Sequence, residues 1–195
     1  MPTVPLADVL APDDFPALQD ASVESRYRYL DRCRRVRVGP AVTVVFENRQ
    51  TMWFRVQELA QVARATAGEV VQPELGWYAQ LLPGSGRLHA AVWVAEPGRR
   101  PTRELLAVRR AVALGRIGFR ADDGREVAGS FRADRVADRL IGLAHWAEFH
   151  FAAGDRAALA DPAKRWRLFV EAIGYRHESD PLSDDVRTSL LEDLG

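Results

Sequence analysis

The chain is poor in several residue types, and each shortage excludes something. Cys33 is the only cysteine, so no disulfide can form within the chain and no thiolate cluster can hold a metal. That usage fits a reducing compartment and predicts a cytoplasmic protein. Lys164 is the only lysine, arginine carries the remaining positive charge, and the formal net charge over 195 residues is zero. A balanced charge removes the bulk attraction that draws proteins to nucleic acid or anionic membranes. No stretch approaches the roughly 20 apolar residues of a membrane helix. The opening "MPTVPLADVLAPDDF" lacks the basic and apolar regions of a signal peptide, so none is expected. Internal repeats, G-x-G-x-x-G, the P-loop and G-x-S-x-G are all missing, and "PGSGRL" has too little glycine context to cradle a phosphate.

What is there reads as alternating helices and strands. "ASVESRYRYLDRCRRVRVG" predicts one helix, with Ser22 as N-cap and Gly39-Pro40 as its stop. "AVTVVFE" predicts a strand with Val42, Val44 and Phe46 on one face and Thr43, Val45 and Glu47 on the other. Asn48 then stands where an N-cap is wanted, before a helix reaching to about Thr66. Pro73 opens a short helix. Further strands are expected at "RLHAAVWVAE", at "LAHWAEFHF" and at "RWRLFVEAIGY". A hairpin turning at Asp123-Gly124 separates the first two of these. Helices are expected at "RPTRELLAVRRAVAL", with Thr102 as cap, at "DRAALADP", and at "SDDVRTSLLEDLG" after Ser183. The pattern predicts a single α+β domain over residues 1–195, with a mixed or mainly antiparallel sheet packed with helices.

Two clusters stand out as candidate sites. The first is "ENRQTMWFRVQE". Glu47 ends a strand, Asn48 starts a helix, Arg49 lies just inside it, and Thr51, Arg55 and Glu58 share a helical face. A helix N-terminus attracts anions, and Arg49 could bind a carboxylate or phosphate in a fork. The alternative is a purely structural lock, with Asn48 capping and Glu47 paired to Arg49. Capping explains Asn48 but not the surplus of Glu47, Arg49, Gln57 and Glu58. Together with Tyr78, and with Trp53, Trp77 and Leu81 as walls, these residues are expected to face one cavity.

The second cluster is "HWAEFH". On a strand, Glu148 and His150 share a face and His145 points away. A metal there needs a distant third ligand, His89 or Glu47, and two histidines with one carboxylate suit non-haem iron or another divalent metal. The alternative is an ordinary surface histidine, since the spacing is not that of H-E-x-x-H. "RYRYLDRCRRVRV" interleaves arginines with Tyr27 and Tyr29, a pattern that can grip nucleic acid. With no net charge it reads more simply as a compensated helix face.

"VGPAVTVVFENRQTMWFRVQEL" followed by "ELGWYAQLLPGSGRLHAAVWVAEP" resembles a bacterial family known as domain of unknown function 3501. The likeness is carried by Glu47, Asn48, Arg49, Thr51, Phe54, Gln57, Glu58, Tyr78, Leu81, Leu82 and Pro83. It implies a redox or peroxide-stress setting, because genes of that family often neighbour rubrerythrin-like and iron–sulfur oxidoreductase genes. The chain departs from the family's usual residues at Arg55, Ala79, His89, Glu148 and His150. Three functions follow as expectations. The first is a small-molecule-binding or redox-accessory protein using Glu47, Asn48, Arg49, Thr51, Glu58 and Tyr78. The second is a metal-dependent oxidative enzyme using His89, Glu148 and His150, with Glu47 or Glu58. The third is a docking module for a redox partner through the arginine helix. Self-association is expected with any of them.

Overall fold

The computed structural model of the chain describes residues 19–55, 79–95, 103–132 and 144–195. The expected helix from Pro73, the Thr102 cap, Trp77, and the site residues Glu58 and Tyr78 lie outside the described residues. The strands are β1 (Arg35–Val38), β2 (Val42–Phe46), β3 (Arg87–Val94), β4 (Arg116–Ala121), β5 (Glu126–Phe131), β6 (His145–His150), β7 (Trp166–Ala172) and β8 (Tyr175–Glu178). The described helices are α1 (Gln19–Tyr29), α2 (residues 49–55), α3 (Arg103–Ala113), α4 (Ala153–Ala160) and α5 (Asp184–Leu194). One turn of π-helix, Leu30–Arg34, joins α1 to β1, and a 3-10 turn spans Ala79–Leu81.

The eight strands form one sheet in the order β1-β2-β3-β6-β5-β4-β7-β8, with every neighbouring pair antiparallel. The fold is mixed α+β, as expected. The sheet dominates it, however, and curls into a nearly closed barrel instead of lying flat beneath a helical layer. Alternation sends one set of side chains inward. Val42, Val44 and Phe46 of β2 join Leu88, Ala90 and Val92 of β3 and Ala147 and Phe149 of β6 in one buried core. Leu105 and Val112 of α3, Leu159 of α4, and Leu190 and Leu194 of α5 complete it. Phe119 packs edge-on against Phe149 and Phe151, with ring centroids 5.0 Å apart in each pair. Gly129 makes this possible, because a Cβ there would stand 2.5 Å from the Phe149 ring.

No strand-to-strand ladder joins β1 to β8. Tyr175 bridges the gap. Its buried hydroxyl donates to the Val38 carbonyl (2.5 Å) and accepts from the N–H groups of Ala41 and Val42 (3.1 Å each). Burial pushes the phenol's pKa up, so it stays a donor. Gly39 has φ of 68°, and a Cβ there would lie 2.4 Å from the His177 ring, so the closing turn needs glycine twice over.

Two element boundaries differ from the sequence reading. The first helix is already formed at Gln19, so Ser22 lies inside it, and it ends at Tyr29 instead of running to Gly39. Arg-Val-Arg-Val has the period of a strand, and it buries Val36 and Val38 while leaving Arg37 exposed. The second difference is in "RWRLFVEAIGY". It contains the end of one strand and the start of another, because Ile173-Gly174 makes a two-residue turn with Gly174 at φ 74°.

Candidate functional site

At the end of β2 the chain must start a helix, and Asn48 does this by capping. Its Oδ1 accepts from the Thr51 N–H (3.0 Å), and its own N–H donates back to the Thr51 hydroxyl oxygen (2.8 Å). Glu47 follows the inward Phe46, so it faces away from the barrel interior. It is nonetheless fully buried. Its carboxylate accepts from the Thr51 hydroxyl (2.5 Å) and twice from the Arg55 guanidinium, with Nε at 2.9 Å. Arg55 also lies over the ring of Trp146 on β6, 5.1 Å from its centroid. The expected partner of Glu47 was Arg49, and this is corrected. Arg49, one residue into the helix, is exposed, whereas Arg55 lies two turns along the face that carries Thr51 and takes the Glu47 carboxylate. Positions 47, 51 and 55 are spaced by four, so this arrangement was readable from the sequence.

The polar contacts continue beyond the junction. Asn48 Nδ2 donates to the Tyr29 hydroxyl (2.8 Å), which also accepts from Arg34 Nε (2.8 Å). Arg34, only 2% exposed, pairs with Asp193 of α5. Burial disfavours charge on Arg34, but Asp193 and Tyr29 outweigh it and hold its pKa above the ordinary value. Burial pushes the Asp193 carboxyl up, and Arg34 draws it partly back. An unbroken path of hydrogen bonds thus runs from α5 through the π turn to Arg55.

On the near side of this path lies a cavity of about 310 Å³. Glu47, Thr51 and Arg55 form its polar wall. Tyr27, Leu30, Val45, Phe54 and Trp93 form its apolar walls, with Arg26 and Arg35 also lining it. Of the expected site residues, Glu47 and Thr51 therefore share a cavity. Asn48 faces a separate, more polar cleft with Cys33 and Asp193, and Arg49 lines neither. Arg55 and Trp93 belong to the site although neither was among its expected ligand-binding residues. Trp53, expected as a wall, packs instead edge-on against Phe54, 5.3 Å between centroids.

The same outward face carries the histidine cluster. The Glu47 N–H bonds the His89 carbonyl (2.8 Å), and His89 is paired in register with Glu148, which is paired with Ser130. Strand parity therefore places Glu47, His89 and Glu148 in one row, with His150 one step along. Ala147 and Phe149 face the core, and His145, on that same side and so parted from Glu148, meets Phe131, 6.1 Å between ring centroids. Glu148 Oε1 lies 3.1 Å from His150 Nε2 and 3.6 Å from His89 Nε2. Among the described residues, no group of three or more His, Cys, Asp or Glu side chains is arranged to hold a metal ion. The trio is strung along the sheet around one carboxylate. His89 is 4% exposed, and its Nδ1 is buried with no hydrogen-bond partner. Burial lowers its pKa, Glu148 opposes this, and Arg132, Arg87 and His150 reinforce it.

The arginine run is largely matched from within. Arg28 pairs with Glu24, Arg32 with Asp185 (2.8 Å), Arg34 with Asp193 and Arg35 with Asp31. Among the described residues no helix is long and apolar enough to cross a membrane.

Comparison with known proteins agrees with the fold and assigns no activity. A family model described as "Protein of unknown function (DUF3501)" matches residues 7–194. A crystal structure of a novel protein of unknown function from Burkholderia pseudomallei K96243 superposes with a TM-score of 0.79 at 20% identity, covering 96% of each chain. No curated protein matches.

Proposed function

Because the chain belongs to the DUF3501 family, whose description names no activity, we propose a function from the geometry of the outward face: binding of a compact small molecule in the cavity above β2. One observation carries this reading. The buried Glu47–Thr51–Arg55 network forms one side of a cavity of about 310 Å³ whose other walls are mainly apolar and aromatic. Apolar walls with a few convergent polar groups are what small-molecule sites provide. The ligand has a flat or apolar body against Val45, Phe54 and Trp93, and a polar end that hydrogen-bonds Thr51, Glu47 and Arg55. Arg55 thus takes the place first given to Arg49.

This reading is favoured over the iron-dependent oxidative one, because His89, Glu148 and His150 spread around a single carboxylate oxygen instead of converging on a point. It is favoured over docking of a redox partner through the arginines, because Arg28, Arg32, Arg34 and Arg35 already have acidic partners. A redox-accessory role is compatible with it if the ligand is itself a redox-active small molecule.

The test is native mass spectrometry of gently purified protein, with extraction of any bound compound. A retained small molecule is expected, and Val45→Trp, which fills the cavity, should release it without unfolding the chain. Protein that purifies bare, and whose melting temperature no compound in a metabolite library raises, would overturn the proposal.

A further inference from the structure

Leu114 is 91% exposed and Ile173 is 94% exposed, the most exposed large apolar side chains among the described residues. Leu114 immediately follows the last residue of α3 and is itself followed by Gly115. Ile173 is the first residue of the two-residue turn between β7 and β8, in which Gly174 supplies the positive φ. Neither side chain belongs to the core, so neither is there to stabilise the fold.

The two stand beside one concavity of about 530 Å³. Its floor is made of small residues, Ala111, Gly115, Ala172 and Gly174. Gly115 cannot be larger, since a Cβ there would lie 2.7 Å from the Glu171 carbonyl oxygen. Two apolar knobs next to a hollow of matching character form a surface that can receive its own image. The rim carries both signs of charge, with Glu171 between Arg116 (2.8 Å away) and Arg176. A rim of one sign would select a partner of the other. A rim of both signs suits a twofold copy, in which Arg176 of one subunit approaches Glu171 of the partner subunit.

We propose that this surface is an isologous dimer interface, with Leu114 and Ile173 of each copy seated in the hollow of the other. The surface is distinct from the cavity above β2, so the dimer stands or falls independently of ligand binding.

Sedimentation equilibrium of the full chain across a wide concentration range tests this. The wild type should pass from 21.8 kDa to twice that mass as concentration rises. Leu114→Glu should weaken association by at least about tenfold, the effect expected for an interface anchor. Ile173→Asn alters an exposed turn residue outside the core, so it should weaken association to a similar degree with an unchanged melting temperature. A wild type that stays at 21.8 kDa at every concentration overturns the proposal. So does a dimer that survives both substitutions.

Discussion

Two sets of arginine–carboxylate contacts sit on the outward face of the same sheet, and they differ in kind. On β4, β5, β7 and β8, Arg116 and Arg120 bond Glu126, Glu171 and Glu178 in an open ladder at the surface. Their side chains range from 25% to 59% exposed, and the two guanidiniums roof Phe169, at 5.4 and 4.3 Å from its centroid. Where β2 meets α2, Glu47 and Arg55 make a comparable pair with the carboxylate wholly out of water. In the ladder, water screens each charge, and Arg116, Arg120, Glu126 and Glu171 each have more than one partner. At the junction, the two charges meet out of water. A surface ladder keeps a sheet soluble. A buried pair is an expensive way to join a strand to a helix, and an apolar pair would do as well. On the proposed reading, the cavity beside the junction gives its charges a use beyond the fold.

The largest effect should come from splitting the buried pair. Glu47→Leu or Arg55→Met alone should cost about 3–5 kcal/mol of stability, since each removes one half of a buried ion pair. Chemical denaturation measures it, and a loss near that of a surface substitution would show that water reaches the junction.

A smaller effect concerns acid. Burial holds His89 and His145 below the ordinary value of 6.5, so the unfolded chain takes up protons more readily than the folded one. Stability is therefore full above the unfolded pKa and falls as pH drops below about 6.5. Urea midpoints near about pH 7.5 and about pH 5.5 should differ, and His89→Gln should shrink the difference. An unchanged difference would mean that His89 titrates normally. The smallest effect belongs to the ladder. Arg116→Ala should cost no more than about 1 kcal/mol, with part of that lost in high salt. A larger cost would erase the contrast between the two regions.

Much of this was legible in the sequence because period and capping are local. The inward faces of β2 and β3, the Asp123-Gly124 hairpin, the caps at Asn48 and Ser183, and the parity that parts His145 from Glu148 all follow from residues within a turn or a strand. What was not legible depends on distant chain. Arg35–Val38 became a strand because β2 offered it an edge, which a helix-like run of arginines conceals. The Glu47–Arg55 pair is the exception, local and readable in the spacing by four, although Arg49 was the partner expected. Barrel closure rests on one tyrosine hydroxyl reaching residues more than 130 positions away in sequence. Nothing near Tyr175 announces that role.

The most direct test is a double-mutant cycle at Glu47 and Arg55 with two readouts, stability and retention of the small molecule. If the charges serve a ligand, the combined Glu47→Leu/Arg55→Met chain should recover most of the stability lost by either single change, yet hold no ligand. A double variant that is as stable as the wild type and still retains the ligand would contradict the account, and the junction would then be a structural lock.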